Sequence, residues 1–344
     1  MSELEALIKR EIGQTGPIGT ARYMELCLSH PQHGYYATRD PLGVAGDFTT
    51  APEISQMFGE MLGVWVASVW AGMGQAKINL VELGPGRGTL MADIVRVLNR
   101  AGCDPEIWLV ETSPALRAEQ AKRVPGANRA DTLDDVPEGP MILVANEFLD
   151  ALPVHQYLRT PEGWREQQIG LADGALAFGL SAPVPDRACA RDWLEVSPLA
   201  DAIVAGIGER LSRHPGAALL VDYGYTGADA PPGLTLQALR RHEHVSPLHS
   251  PGECDLTWLV DFDRTRHLLE PHAATFRTTQ GAFLAAMGIG QRAETLAKAA
   301  PQNADAVADA LERLTTPDRM GTLFKVLAAT SPGLPPPPGF EALR

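Results

Sequence analysis

A glycine-rich turn is the segment whose residue types and spacing point most directly to ligand chemistry. The stretch VELGPGRGTL (81–90) follows an apolar run and precedes an amphipathic one. Glycines at such a strand-to-helix turn let the backbone turn tightly and approach a ligand without a Cβ clash. Gly84, Gly86 and Gly88 are spaced G-x-G-x-G, whereas the dinucleotide fingerprint is G-x-G-x-x-G. The turn therefore predicts a nucleoside ligand that needs no pyrophosphate cradle; a turn without any ligand is the structural alternative.

Acids at three predicted strand ends could hold such a ligand. Glu82 precedes the turn and could accept hydrogen bonds from a cationic amino-acid group. Glu111 ends the next strand, where an acid can accept from ribose hydroxyls, and Asp131 follows a third strand, where it could accept from an adenine amino group. These three acids and the glycine turn predict S-adenosylmethionine as the cofactor. The alternatives are a helix N-terminal acid at Glu111 and a loop acid or N-cap at Asp131.

Two further strand ends carry polar groups that suit methyl transfer. The fourth predicted strand ends at Asn146-Glu147, with Asp150 shortly after it, and the fifth ends at Asp222-Tyr223. Ligands of open α/β sheets bind outside the carboxyl ends of the strands, so we expect these side chains near the transferred methyl group. Acids there favour a guanidinium substrate, because arginine binds as a cation and must lose a proton when it is methylated.

We assign Asn146 to cofactor binding and Glu147 to orienting the guanidinium as a planar, bidentate carboxylate. Asp222 and Asp150 are the next candidates for the catalytic role. The structural alternatives are a turn-capping acid at Glu147, an N-cap or surface acid at Asp150 and a packed aromatic at Tyr223.

The histidines carry weaker signals. His155, near the fourth strand, could act as a general base, but a packed or hydrogen-bonded histidine is an equal alternative. A later loop could in principle ligate zinc through His242, His244, His249 and Cys254. Their spacing fits no common zinc site, so we predict a polar loop and no metal.

The elements that must position these residues alternate between strand and helix from about residue 78 onward. This alternation predicts an α/β fold with a mostly parallel sheet and right-handed crossovers. Together with the glycine turn of a predicted S-adenosylmethionine site, it indicates a Rossmann-like fold of the class I methyltransferase type. HAATFRTTQ and GTLFKVLAAT, flanking two predicted helices, would form a closing antiparallel strand pair. Residues 154–180 predict an inserted antiparallel meander, and residues 225–260 a large loop insertion.

The predicted domain boundaries follow from these elements. Residues 1–75 form a helical N-terminal extension that could close as a lid over the site, bringing Asp47 and Glu53 with it. A single helix is predicted from Pro52 onward. Residues 76–330 form the methyltransferase-type domain, with insertions at about 154–190 and 225–260. Residues 331–344 form a proline-rich tail that favours polyproline II and is predicted to hang free.

Composition and net charge limit the classes of partner that the chain could bind. The chain has 344 residues, 45% of them hydrophobic, and a formal net charge of -13. Such a charge argues against a nucleic-acid binder and suits a cationic partner. The four cysteines lie far apart, no signal peptide is evident and no apolar run reaches membrane-spanning length. We therefore predict a cytoplasmic protein without membrane insertion, and the sequence leaves homo-oligomerisation open.

Five ordered blocks resemble the MidA-like family. They are GDFTTAPEISQMFGEMLG (46–63), VELGPGRGTL (81–90), VANEFLDALPVHQ (144–156), ALLVDYG (218–224) and MGTLFKVL (320–327). The resemblance spans roughly residues 10 to 330. It implies a class I methyltransferase fold and methylation of a protein arginine on a respiratory complex I subunit, as an assembly factor.

Other functions remain to be weighed against this one. A small-molecule methyltransferase and a cofactor-binding assembly chaperone without turnover are the alternatives. Turnover separates the chaperone from the enzymes, because a binding protein never produces S-adenosylhomocysteine. The two insertions favour a macromolecular substrate, since they add surface beside the site. A nicotinamide oxidoreductase is disfavoured by the glycine spacing.

Overall fold

The computed structural model describes residues 2–38, 50–240 and 243–340. By its internal packing the chain divides into two units. The first comprises Met1–Phe48, Leu149–Ala202 and Ala228–Leu259; the second comprises Thr49–Phe148, Ile203–Gly227 and Val260–Arg344. Each unit is thus assembled from three separate stretches of chain.

Helices and strands are numbered in chain order. The first unit contains α1 (Glu3–Thr15), β1 (Ile18–Gly19), α2 (Thr20–Ser29), α3 (Tyr35–Thr38), β6 (His155–Thr160), β7 (Gly163–Ala172), β8 (Ala175–Pro183), β9 (Trp193–Val196), β11 (Gln237–Arg240), β12 (Glu243–Val245) and β13 (Asp255–Thr257). The second contains α4 (Ala51–Ile54), α5 (Gln56–Gly72), β2 (Asn79–Leu83), α6 (Thr89–Ala101), β3 (Glu106–Val110), α7 (Pro114–Arg123), β4 (Asn128–Ala130), β5 (Met141–Asn146), β10 (Gly216–Tyr225), β14 (Val260–Asp261), α9 (Phe262–Leu269), β15 (Ala274–Thr279), α10 (Gln280–Ala286), α11 (Ile289–Ala299), α12 (Ala304–Thr315) and β16 (Phe324–Thr330). Helix α8 (Pro198–Arg213) crosses from the first unit into the second.

The second unit is built on an eight-stranded sheet in the order β15-β16-β10-β5-β2-β3-β4, with β14 beside β10. Strands β4, β3, β2, β5 and β10 run parallel, and β16 pairs antiparallel with both β10 and β15. Every residue of β2, β5 and β16 is buried, as expected for strands covered on both faces. The predicted mostly parallel α/β sheet with its closing antiparallel pair is confirmed.

The register aligns the strand ends that carry the candidate site. Leu83 lies opposite Val110 and Ala145, and Val110 lies opposite Ala130. Asn146 lies opposite Val221 on the neighbouring strand. Because parallel strands share their carboxyl edge, the residues that follow β2, β3, β4, β5 and β10 converge on one edge of the sheet.

Three predictions about the second unit need correction. The helix predicted from Pro52 onward is two helices, because Ser55 adopts an extended backbone and its hydroxyl caps α5 by accepting from the Met57 N–H. The closing strands enclose three helices rather than two, since a break at Gly288 separates α10 from α11. The tail is not free over its described part: Phe340 is buried beside Phe283.

The first unit combines helices with two antiparallel sheets. One sheet has the order β1-β7-β6-β9, with β8 beside β7, and a core of α1, α2 and sheet residues includes Tyr23, Met24 and Ile169. The predicted antiparallel meander is confirmed by β6, β7 and β8. The loop predicted at 225–260 is wrong in part, because it contains the three-stranded sheet β12-β11-β13. Strands of three or four residues show too little alternation to stand out among glycines and prolines.

The sequence boundaries at residues 75 and 330 stay a prediction. Packing places α4 and α5 in the second unit, whereas the sequence assigns them to the N-terminal extension. No helix within the described residues is long and apolar enough to cross a membrane.

Candidate functional site

The glycine turn adopts the conformation that its sequence predicts. Gly84, Gly86 and Gly88 have φ of +61°, +51° and +80°, in the left-handed region that glycine enters without strain. A Cβ on Gly84 would lie 2.7 Å from the ring of Phe148. The side-chain amide of Gln120 donates to the Gly86 carbonyl at 2.7 Å and so fixes the turn from α7. The conformation of the turn is therefore fixed by the Phe148 ring, which packs against Gly84, and by the hydrogen bond from Gln120 to Gly86.

Glu82 is the clearest candidate for holding a polar group of a ligand. Its side chain is 3% exposed; one carboxylate oxygen, Oε2, has no hydrogen-bond partner, and the Met91 N–H donates to the carboxylate. Burial raises the pKa of Glu82 to about 8, and the charge of Glu111 acts in the same direction. A buried acceptor without a donor is costly, so this position fits a cationic donor such as the amino group of S-adenosylmethionine.

Glu111 and Asp131 end the next two strands and differ in their surroundings. Glu111 accepts from the Ser113 N–H at 2.8 Å, and burial raises its pKa. Arg117 donates to the carbonyls of Glu111 and Ala130, at 2.6 and 3.0 Å, and pairs with the carboxylate of Asp131. Arg117 thus ties the two strand ends together. The sequence reasoning missed it, since an arginine in a polar helix gives no signal of its own.

Glu147 lies at the centre of a hydrogen-bonded group. Its Oε1 accepts from the Ala51 N–H at 3.0 Å and from the Asn146 side-chain amide at 2.9 Å. Its Oε2 accepts from the Tyr223 hydroxyl at 3.3 Å. Burial raises the pKa of Glu147 to about 7, and the three donors together with the charge of Arg313 oppose that shift. The carboxylate is therefore poised between its two protonation states near neutral pH.

The backbone of Glu147 is unusual. Its φ is +51°, a conformation that costs a non-glycine residue of its size about 1 kcal/mol or more and is found where structure over-determines it, often at functional sites. Beside it, the side-chain oxygen of Asn146 is buried without a donor. The Asn146 oxygen is therefore an unsatisfied acceptor at the end of β5, beside a Glu147 carboxylate whose two oxygens both accept hydrogen bonds.

Asp222 lies three residues before the end of β10, which extends to Tyr225 and not only to the predicted end at Asp222-Tyr223, and it connects β10 to the end of β5. Its two oxygens accept from the backbone N–H groups of Phe148 at 3.1 Å and Tyr223 at 2.9 Å. The Tyr223 ring packs against Phe324, with centroids 4.1 Å apart. Both oxygens of Asp222 are thus engaged by the backbone next to Glu147 and next to Asp222 itself.

Two other sequence candidates belong to the first unit. Asp150 is 3% exposed, and its carbonyl accepts from the Trp258 N–H at 3.1 Å. His155 Nδ1 lies 2.6 Å from Oε1 of Glu166. The packing therefore groups Asp150 and His155 with the first unit, and Glu147 with the second.

The histidine-rich segment shows other contacts. His249 Nε2 lies 3.1 Å from an Arg240 nitrogen, and the thiol of Cys254 donates to the His249 carbonyl. His242 lies outside the described residues, as does Asp47 of the predicted lid. Within the described ranges, no three histidine, cysteine or acidic side chains form a group that could hold a metal ion.

Helix α4 contributes contacts that the sequence did not reveal. Besides the Ala51 N–H, its Glu53 accepts from the Thr89 hydroxyl at 2.5 Å, at the start of α6. Glu53 also lies 3.9 Å from Arg87 and 3.8 Å from Arg123. The lid hypothesis named Glu53 but gave it no partner.

Comparisons with known proteins identify the chain as similar to methyltransferases. A family model described as an S-adenosyl-L-methionine-dependent methyltransferase matches residues 61–279. Protein arginine methyltransferase NDUFAF7 homolog, mitochondrial, of Drosophila melanogaster is 38% identical over 368 residues, covering 93% of this chain and 83% of the relative. Protein arginine methyltransferase NDUFAF7, mitochondrial, of Homo sapiens is 36% identical over 360 residues, covering 92% of this chain and 81% of the relative.

A solved structure shows the same fold. The crystal structure of a Burkholderia thailandensis protein bound to S-adenosylhomocysteine superimposes with a TM-score of 0.85 at 28% identity. It covers 98% of this chain and 93% of that one. A neighbour of this similarity with the cofactor product bound supports S-adenosylmethionine as the cofactor.

The relatives also correct one prediction and lead to the family. The predicted cytoplasmic location is wrong, because the relatives that match over more than 90% of the chain are named mitochondrial proteins. Scattered reduced cysteines indicate a reducing environment, and composition does not distinguish one such compartment from another. The family model, the relatives and the fold agree with the sequence motifs, and the chain belongs to the MidA-like family of S-adenosylmethionine-dependent methyltransferases.

Proposed function

We propose that this methyltransferase methylates an arginine side chain of a protein, and that the protein is a subunit of the respiratory complex I type, modified during assembly. The observation that carries the proposal is the Glu147 carboxylate, which stands at the edge of the sheet that holds the glycine turn. Relatives named protein arginine methyltransferases match over more than 90% of the chain and support the same substrate class. The specific complex I substrate rests on the family resemblance.

The chemistry asks the protein for positioning and for a proton acceptor. The cofactor supplies an electrophilic methyl group on a sulfonium sulfur. As the guanidinium nitrogen forms its bond to that methyl, the sulfur–methyl bond breaks and the nitrogen loses a proton. Glu147 is the group that holds the cation and accepts this proton, since its pKa is raised to about 7. A carboxylate at its ordinary pKa would be a weaker base.

The hydrogen bonds of Glu147 refine the expected binding mode. A carboxylate has about four acceptor positions, two on each oxygen. The Ala51 N–H and the Asn146 amide occupy both positions of Oε1, and the Tyr223 hydroxyl occupies one of Oε2. One position remains, on Oε2. Glu147 therefore offers the guanidinium one direct hydrogen bond together with its charge, in place of the bidentate fork expected from the sequence.

The remaining candidates take supporting roles in this proposal. Asp222 holds β10 to the segment that follows β5 through its hydrogen bond from the Phe148 N–H, and it is itself fixed by the Tyr223 N–H. Glu82, Glu111 and the three glycines of the turn hold the cofactor, with Asn146 and Asp131 as further acceptors. Asp150 belongs to the first unit, and its catalytic assignment stays a prediction from the sequence.

Methyl labelling in a lysate tests the proposal. Purified protein and radiolabelled S-adenosylmethionine are added to lysate from a strain lacking the gene, and the labelled product is analysed by mass spectrometry. We expect label on an arginine of a complex I subunit. The Gly86→Val variant, in which a branched side chain must adopt a φ of +51°, serves as the control that lacks cofactor binding.

Other outcomes of this experiment identify the competing functions. Label on a lysine, a nucleobase or a small metabolite refutes the arginine assignment. Cofactor binding without formation of S-adenosylhomocysteine, in the presence of the full lysate, shows a binding protein without turnover.

A further inference from the structure

Helix α4 touches both halves of the active site in the second unit. At its start, the Ala51 N–H donates to Oε1 of Glu147, the proposed substrate carboxylate. Two residues later, Glu53 accepts from the hydroxyl of Thr89, the residue that follows Gly88 of the glycine turn. One short helix thus links the cofactor turn to the carboxylate that faces the substrate.

Helix α4 cannot hold this position by itself. It has four residues, Ala51–Ile54, and a single helical turn is far below the length at which helices are stable in isolation. Helix α4 ends before Ser55, which has an extended backbone and is also the N-cap of α5. Contacts of its side chains must therefore fix it, and Glu53 makes the polar ones.

The surroundings of Glu53 hold its side chain in one position. Its side chain is 17% exposed, and the Thr89 hydroxyl lies 2.5 Å from Oε1. Two guanidinium groups flank it, Arg87 at 3.9 Å from Oε2 and Arg123 at 3.8 Å from Oε1. The two arginines come from the glycine turn and from α7, so three elements meet on this one carboxylate.

We propose that Glu53 is a positioning residue that fixes α4 on the first turn of α6, and thereby keeps the Ala51 N–H on Glu147. This inference rests on the proposed role of Glu147. It assigns to Glu53 an action through the α4 backbone and no contact with the substrate. The position of the Glu147 carboxylate then depends, through α4, on the contact between Glu53 and Thr89 beside the glycine turn.

The sign of a pKa change separates this role from a simple charge effect. The groups that face Glu147 are the Ala51 N–H, the Asn146 amide, the Tyr223 hydroxyl and the charge of Arg313. The Ala51 N–H favours the ionised carboxylate, so its loss raises the pKa of Glu147. Removal of the negative charge of Glu53 alone would lower that pKa, because like charges raise it.

The test measures the pKa of Glu147 in Glu53→Ala protein. The full-length chain, labelled with ¹³C at glutamate carboxyls, is titrated by NMR, and the Glu147 signal is assigned by its disappearance in Glu147→Gln. We expect the pKa to rise by roughly one unit, the scale of one hydrogen bond to the charged form. Thr89→Val, which removes the hydroxyl donor, should shift it in the same direction, and Thr89→Ser should restore the wild-type value.

Controls make each outcome decisive. Glu119→Gln removes an exposed acid that pairs with Lys122 on the surface of α7, and should leave the pKa of Glu147 unchanged. An unchanged or lowered pKa in folded Glu53→Ala overturns the positioning role. Because heat-denaturation curves report folding separately, a merely destabilised variant is recognised by a lower Tm with an unmoved pKa, which also counts against the proposal.

The same measurements keep this inference apart from the proposed function. If Glu147→Gln transfers methyl groups at the wild-type rate while Glu53→Ala still raises the pKa of Glu147, the catalytic assignment fails and the positioning contact stands. If Glu147→Gln is inactive and Glu53→Ala leaves the pKa unmoved, the catalytic assignment stands and the role of Glu53 fails.

Discussion

The hydroxyl of Tyr223, a residue of β10, donates at 3.3 Å to Oε2 of Glu147, which follows the neighbouring strand β5. Asp222, beside Tyr223, accepts from the backbone N–H of Phe148, beside Glu147. Two hydrogen bonds therefore join β10 to the segment that follows β5. The Tyr223 hydroxyl of β10 orients the Glu147 carboxylate of that segment.

Glu147→Gln should separate cofactor binding from methyl transfer. The amide keeps the size of the side chain and one acceptor oxygen, which can still accept from the Ala51 N–H and the Asn146 amide, but it removes the charge and the ability to accept the proton. We expect methyl transfer to fall by roughly two orders of magnitude, as when an electrostatic catalytic group is lost. Calorimetry should show nearly wild-type affinity for S-adenosylmethionine. Transfer at the wild-type rate would refute the assignment of Glu147.

The pH dependence should follow the ionisation of Glu147. Its pKa is raised to about 7, so kcat/KM should rise as the pH increases through 7 and the carboxylate becomes ionised. Tyr223→Phe removes a donor to the ionised form and should raise that pKa, which moves the acid limb to higher pH. The measurement is kcat/KM from pH 5.5 to 9. A limb that stays in place would show that Glu147 is not the titrating group.

Glu111→Ala should weaken the binding of S-adenosylmethionine and leave the fold intact. Loss of the ribose acceptor leaves hydroxyl donors without a partner, at a cost of roughly 1–3 kcal/mol of binding free energy. Calorimetry of S-adenosylmethionine binding measures this change. NADH serves as the comparison ligand, because the glycine spacing does not suit a pyrophosphate. Tight NADH binding by the wild-type protein would contradict the site described above.

Glu82→Gln should stabilise the cofactor-free protein at alkaline pH while it weakens cofactor binding. The pKa of Glu82 is raised to about 8 in the folded protein, whereas an unperturbed glutamate carboxyl, as in the unfolded chain, has a pKa of 4.5. The folded state therefore binds more protons between these values, and the free energy of unfolding falls as the pH rises from 4.5 to 8. The neutral amide removes this loss. Its Tm advantage over wild type should grow from pH 5 to pH 8 and reach at least ~2 °C, the shift that about 1 kcal/mol produces in a domain of this size.

A Tm difference that is equal at both pH values would show that Glu82 does not titrate in this range. The affinity for S-adenosylmethionine should fall at all pH values, because the amide cannot replace the charge opposite an ammonium group.

Phe340→Ala should destabilise the second unit from its tail. The ring is 9% exposed and packs on Phe283 and Phe276, with centroids 5.5 and 6.2 Å apart. Removal of such a ring costs about 3 kcal/mol, at the lower end of measured phenylalanine truncations. Denaturant unfolding measures the loss. Pro338→Ala, an exposed neighbour, is the matched control and should change the unfolding free energy by less than about 0.5 kcal/mol. Equal stability of the two variants would contradict the docking of the tail.

The sheet edge could be predicted from the sequence because its signals are local. Apolar runs followed by glycines or acids mark the ends of β2, β3, β5 and β10, and parallel pairing brings those ends together. Gly84, Glu111 and Asp222 were found in this way. Their hydrogen bonds to neighbours close in sequence follow from the same turns.

The contacts that join distant segments could not be predicted from the sequence. The Ala51 N–H reaches Glu147 across 96 positions of the chain, and no periodicity encodes that approach. Phe340 follows a run of prolines, so its composition indicated a free tail, whereas one buried ring is enough to anchor it. The grouping of Asp150 with the first unit likewise depends on packing that one sequence does not show.

The division of each unit into three stretches of chain has a consequence for synthesis on the ribosome. Helices α1 and α2 emerge before the rest of their unit, but their core includes Ile169, Leu256 and Trp258, which are made later. The second unit cannot close before β16, near the end of the chain, pairs with β10. Apolar surface of both units therefore stays exposed until most of the protein has been translated, which is the condition under which nascent chains need protection from aggregation. A chain cut short before Leu256 would leave neither unit with its full core.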